Sequence, residues 1–232
     1  MNFETRFVLT AGVLGSVALA CAQPVDTGPT DAHAECDSAT STFARTASGN
    51  RVTVKVARQA DIWSTINGLH WVRHSSGTLS LLHDVACGNW VFVAVGNEGK
   101  IVSSLDGISW TGRDSRTDER LRGIVFGNGL FVAVGYEGTV ITSKDGVSWK
   151  IRSSGTDNRL QMVAFDHGIF VAVGWQGIIL TSPNGTRWTV RNSSSSERLD
   201  GITYRDGRFV ATITNRTSRV SADGIAWNRP GS

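Results

Sequence analysis

Ser143-Lys-Asp145-Gly146-Val-Ser-Trp149 is one of five versions of a single phrase in this chain. The others are Thr65-Ile-Asn67-Gly68-Leu-His-Trp71, Ser104-Leu-Asp106-Gly107-Ile-Ser-Trp110, Ser182-Pro-Asn184-Gly185-Thr-Arg-Trp188 and Ser221-Ala-Asp223-Gly224-Ile-Ala-Trp227. Their tryptophans recur every 39 residues with no insertion. A fixed period of that length denotes one supersecondary unit stacked several times. Within the phrase, Asn or Asp before Gly favours a tight hairpin turn, and the hydroxyl two residues earlier can bond the turn's amides. The indole is expected to cover that turn and pack on the neighbouring sheet. On this reading the carboxylates of the phrase are structural, not catalytic.

The period extends beyond the phrase. Leu82, Leu121, Leu160 and Leu199 keep it, as do Phe92, Phe131, Phe170 and Phe209. Glycines mark two further places, Gly96, Gly135, Gly174 and Gly99, Gly138, Gly177. In one complete copy, spaced apolar residues predict strands over 121–126, 130–134, 139–143 and 147–151. Turns are predicted at Gly127-Asn128-Gly129, at Tyr136-Glu137 and at Lys144-Asp145-Gly146. No helical period is visible over 43–227. Four short antiparallel strands in some forty residues describe a β-propeller blade, so the fold class is all-β.

Five copies are countable: a degenerate one over 43–71, then 82–110, 121–149, 160–188 and 199–227. A short tail, 228–232, follows. The first copy has Ala57 and Ala60 in place of its paired turn glycines, and the last has Ile213 and Arg216. Terminal repeats are atypical because each has one regular neighbour. A five-bladed closed ring would remove exposed strand edges; an incomplete ring closed by a second chain fits the same count.

The phrase, following Phe-Val-Ala-Val-Gly-x-x-Gly, resembles the Asp-box repeat of bacterial neuraminidases. It is also similar to Ycf48-like photosystem assembly propellers and to bacterial envelope proteins of the YVTN/BNR-like class. The resemblance covers 43–227 and implies a propeller; the wider group mixes hydrolases, assembly factors and binding proteins. The chain departs from the usual box by having one residue fewer between Asp and Trp.

A sialidase-type enzyme would imply three arginines on a substrate carboxylate, a Tyr–Glu nucleophilic pair and an Asp acid/base. Here the tyrosines are Tyr136 and Tyr204 alone. The arginines recur at repeat positions (Arg113, Arg152, Arg191; Arg120, Arg159, Arg198), which suits a ring better than one asymmetric centre. Glycosidase chemistry needs two carboxylates at a set separation, for which Glu98 and Glu137 are conceivable; as solvated turn residues they would do nothing. The expectation is therefore a non-catalytic binding or assembly module. A carbohydrate-active enzyme and a structural envelope protein without a ligand are the alternatives.

The expected binding place is one rim. Asn97-Glu98, Tyr136-Glu137 and Trp175-Gln176 vary inside a uniform Gly-x-x-Gly frame. Arg120, Arg159 and Arg198 end the loops between copies, which open on the same side. His83, Arg122, Gln161 and Asp200 share one slot on the innermost strand. Exposed rings beside guanidiniums, amides and carboxylates can hold a peptide, sugar or partner surface. The competing reading has the rings merely covering adjacent loops and the arginines paired with Glu119, Asp157 or Glu197, at ~0–1 kcal/mol per exposed pair.

The N-terminus predicts export. Residues 7–20 form an uncharged apolar run of signal-peptide length, too short to span a bilayer comfortably. It ends in Ala18-Leu19-Ala20-Cys21, which resembles a lipobox with Cys21 lipidated; ordinary cleavage fits too. A signal peptide over 1–20 and a polar tether over 21–42 follow. That assignment implies an outer-membrane lipoprotein, or a secreted or periplasmic protein, touching the membrane through a lipid anchor only. Cys36 and Cys87 could then form a disulfide; a buried inert thiol at Cys87 is the alternative. No Cys/His spacing predicts a metal and no motif a cofactor. The net charge of +3 comes with no basic stripe, which argues against nucleic acid. The expected partner is an envelope protein or a glycan.

Overall fold

The computed structural model describes residues 45–49, 52–57, 60–213 and 216–231. The leader, the tether, Cys21 and Cys36 lie outside these residues.

A hydroxyl, a carboxylate or amide oxygen, and a glycine together make each box turn. In the third copy Ser143 Oγ accepts from Gly146 N at 2.9 Å and donates to Asp145 Oδ1 at 2.8 Å. The same Oδ1 accepts from Val147 N and Ser148 N at 2.9 and 2.8 Å. Gly146 has φ +69, the left-handed region where a Cβ is costly. These bonds hold residues 147 and 148 in the turn, so the fourth strand starts only after Trp149.

Nineteen strands form five antiparallel sheets among the described residues. The first comprises β1 (Arg45–Gly49), β2 (Val52–Val56), β3 (Asp61–Thr65) and β4 (Val72–Ser75). The second comprises β5 (Leu82–Gly88), β6 (Val91–Gly96), β7 (Ile101–Ser104) and β8 (Thr111–Arg113). The third comprises β9 (Leu121–Gly127), β10 (Leu130–Gly135), β11 (Val140–Ser143) and β12 (Lys150–Arg152). The fourth comprises β13 (Leu160–Asp166), β14 (Ile169–Gly174), β15 (Ile179–Ser182) and β16 (Thr189–Arg191). The fifth has β17 (Gly201–Arg205), β18 (Arg208–Ile213) and β19 (Arg216–Ser221). Strand order within each sheet is sequential, as in a meander.

Three expectations need correction. The fourth strand is β12, not 147–151, because the Asp145 bonds occupy those amides. Each middle sheet therefore runs past its tryptophan. The fifth sheet has three strands, its fourth reduced to a bridge between Val220 and Asn228.

The core lies between sheets. Phe92 and Ala94 pack with Val54 and Val56 of the preceding sheet, Phe131 and Ala133 with Val93 and Val95, and so on to Phe209 and Ala211. The four repeat phenylalanines are fully buried. The first strands pack in succession, β1 on β5, β5 on β9, β9 on β13 and β13 on β17. Trp149 and Trp227 are buried, whereas Trp71, Trp110 and Trp188 are half-buried. Trp110, Trp188 and Trp227 donate Nε1 to the carbonyl oxygen of their box glycine at 2.9–3.3 Å, and Trp110 and Trp188 pack on their cores while half-exposed. Cys87 is buried and disulfide-bonded.

Candidate binding rim

Each Gly-x-x-Gly loop is clamped to the junction beside it. Tyr136 N donates to Arg120 O at 2.9 Å and Gly138 N to Asn158 O at 3.1 Å. Trp175 N donates likewise to Arg159 O, and Asn97 N to Leu81 O, both at 2.9 Å. The second variable residue of each pair is left-handed: Glu98 φ 55, Glu137 φ 49, Gln176 φ 54. A Cβ at Gly99 or Gly138 would run into the carbonyl oxygen of Thr117 or Thr156, so only glycine fits there. Trp175–Gly177 closes as a single 3-10 turn.

The clamp interleaves the side chains. The Arg120 guanidinium lies 5.0 Å from the centre of the Tyr136 ring, and that of Arg159 lies 4.6 Å from the same ring. Arg159 is also 4.6 Å from the Trp175 ring, and Arg198 is 5.3 Å from it. Arg120, Tyr136, Arg159, Trp175 and Arg198 thus form one alternating ladder across three sheet junctions. Each such contact contributes ~0.5–1 kcal/mol when exposed. Arg120 and Arg198 are exposed and Arg159 half-buried, so the strip faces solvent. Glu98, Glu137 and Gln176 are exposed beside it.

A second band lies on the innermost strands. His83 Nε2 meets Asn97 Oδ1 at 2.6 Å, and Arg122 donates to His83 Nδ1 at 3.1 Å. Arg122 Nε donates to Gln161 Oε1 at 3.1 Å. This places the proton of a neutral imidazole on Nε2. Asn97, predicted as a contact residue, therefore points to the inner band, whereas Glu98 accepts from Ser80 Oγ at 2.9 Å. The arginine pairs expected with Glu119 or Asp157 are not formed among the described residues. Arg198 pairs with Asp200, and Glu197 with Arg216.

The arrangement is linear and does not converge on a point. Two contacts among the described residues imitate a nucleophile and its base: Tyr204 Oη to His167 Nε2 at 3.2 Å, with His167 Nδ1 2.6 Å from Asp166 Oδ1, at an exposed turn away from the ladder, and Ser64 Oγ to His74 Nε2 at 2.7 Å, which has a repeat equivalent. Ser103–Arg113, Thr142–Arg152 and Thr181–Arg191 make the same hydroxyl–base bond at 2.7–2.9 Å, so His74 stands in an arginine slot. Among the described residues no three His, Cys, Asp or Glu side chains cluster as metal ligands.

Neither a protein-family model nor a curated protein sequence matches the chain. Solved structures do. YCF48 from Cyanidioschyzon merolae superposes with TM-score 0.56 at 16% identity, over 78% of this chain and 67% of that one. A structure of YCF48 bound to D1 peptide gives 0.58 at 18%, over 90% and 69%. The chain is a β-propeller repeat protein. The computationally designed Ika8 protein gives 0.62 at 14%, over 82% of this chain and 62% of the designed one. At these identities the likeness establishes the fold.

Proposed function

We propose that this propeller is a non-catalytic, extracytoplasmic binding or assembly module that takes an extended, acidic segment of a protein partner along the Arg–aromatic ladder. The single observation that carries this reading is the unbroken series from Arg120 to Arg198. Three guanidiniums held in line by two rings offer charge at regular steps to carboxylates on an extended chain, and the rings offer apolar area between them. A protein of the same fold is seen bound to a peptide, which favours a protein segment over a glycan. The apolar run over 7–20 and Cys21 support export and a lipid anchor, so the partner would be an envelope protein.

The test is retention of immobilised peptides and glycans by the exported chain and by Tyr136→Ala/Trp175→Ala. Acidic peptides should bind, and the double variant should lose at least about tenfold, ~1.4 kcal/mol, as the apolar contact of two rings with the peptide is removed. Its Tm should fall by no more than several degrees, since both rings are only half-buried and their four guanidinium contacts are exposed ones. Unchanged retention would sink the proposal, and a large fall in Tm would assign the rings to the core instead. Retention of glycans alone would transfer the site to carbohydrate.

A further inference from the structure

The internal junctions share one composition. The second sheet turns Val91, Val93, Val95 and Ile101 toward the third, and all four positions are aliphatic in every sheet from the first to the fourth. In the fifth sheet two of these positions are Arg208 and Thr212, and the register of β18 with β19 shifts at Thr212. On the opposite face Phe92 and Ala94 meet the first sheet, and Phe and Ala recur there in the third, fourth and fifth. In the first sheet they are Thr53 and Lys55. The aliphatic pattern thus fails at both ends, on faces for which no contact between sheets like those of the internal junctions is found among the described residues, although Val210 on the last of them is buried.

Geometry agrees at the first end. A Cβ on Gly107 would meet Val54 at 2.9 Å, on Gly146 Val93 at 2.8 Å, on Gly185 Leu130 at 2.7 Å and on Gly224 Val171 at 3.1 Å. Each box turn is thereby seated on the sheet before it. Gly68 is exposed and has nothing within 4 Å. The Lys55 ammonium sits 4.0 Å over the Trp71 ring and 5.8 Å from that of Trp63, so the cation covers indoles that a preceding sheet would otherwise cover.

We infer that the first and fifth sheets are terminators and that the chain is an open, monomeric arc, closed neither on itself nor by a second copy. Closure would strip water from Lys55 and Arg208 in slots where the internal junctions bury hydrocarbon, and desolvating an ion costs several kcal/mol. A polar outer face is the usual device for ending a repeat array.

Two glycines with the same strained φ, +72 at Gly68 and Gly107, provide the test. Alanine carries the same backbone penalty at both, but only at Gly107 does it also collide with a neighbouring sheet. Gly107→Ala should therefore lower Tm by several degrees more than Gly68→Ala; equal losses would mean that the first turn is seated and the ring closed. Light scattering on the exported chain carrying Cys21→Ser, so that no acyl group drives association, should return the mass of one chain. A stable dimer overturns the inference. Removing the caps with Thr53→Phe, Lys55→Ala, Arg208→Leu and Thr212→Val should create concentration-dependent association. A folded variant that stays monomeric would show that these residues do not keep the ends apart.

Discussion

At the scale of single residues, the box carboxylates are acceptors for the turn. Amide bonds from Ser148, the largest influence, outweigh burial and lower the Asp145 pKa from 3.8 to about 2. For Asp223 the amides of Ala226 and Ile225 lead and again lower it. For Asp106 burial raises the value, but the Ser109 and Ile108 amides outweigh it. A lowered pKa contributes stability that is present above the unfolded value near 4 and is lost as pH falls through the folded one. The propeller should lose this contribution between about pH 4 and pH 2. Two natural copies use Asn67 and Asn184 in the same way without a charge, each amide oxygen accepting from two amides at 2.9–3.1 Å. Replacing Asp106, Asp145 and Asp223 by Asn should therefore preserve Tm at neutral pH and flatten the acid limb of an unfolding titration. An acid limb unchanged in that window would exclude these groups as its cause. Ser143→Ala, which removes the acceptor for Gly146 N, should cost ~1 kcal/mol in denaturant unfolding.

At the scale of the strand and sheet, the sequence was legible where side chains repeat and illegible where hydrogen bonds compete. The glycine, phenylalanine and box positions placed β9, β10 and β11 within a residue or two, because these strands are apolar and buried along most of their length and the turn residues bound them. Val147 and Trp149 alternate as a strand would, yet Asp145 claims two amides of that segment first. The rim residues were legible by position, but their stacking was not. Arginine and ring belong to different loops, and only the clamp on Arg120 O and Arg159 O shows that each ring falls between two guanidiniums. The bond between Asn97 and His83 on the inner strand was hidden for a related reason: the two residues belong to different elements. Within the sheet stack, Phe131 is fully buried against its ring neighbours Phe126 and Trp149. Phe131→Ala should destabilise by ~3–5 kcal/mol, measured by urea titration.

At the scale of the whole molecule, among the described residues the outermost sheets each pack extensively on one other sheet and the middle three on two. Stability in such an array is close to a sum over units and junctions, so protection should fall toward both ends. Native-state hydrogen exchange should find β1–β4 and β17–β19 exchanging faster than β9–β16; uniform protection would indicate one cooperative block. If the ladder is an electrostatic seat, partner affinity should weaken as salt rises, and a binding isotherm at two ionic strengths would check it.

The glycines behind the rim have a further consequence. Because a neighbouring carbonyl fills the space of a methyl group at Gly99 and Gly138, the frame of each loop is closed to change, while the two letters inside it are not. Asn97-Glu98, Tyr136-Glu137 and Trp175-Gln176 are already three different spellings on one unaltered frame. A lineage could change those pairs one at a time without disturbing the foundation on which they stand.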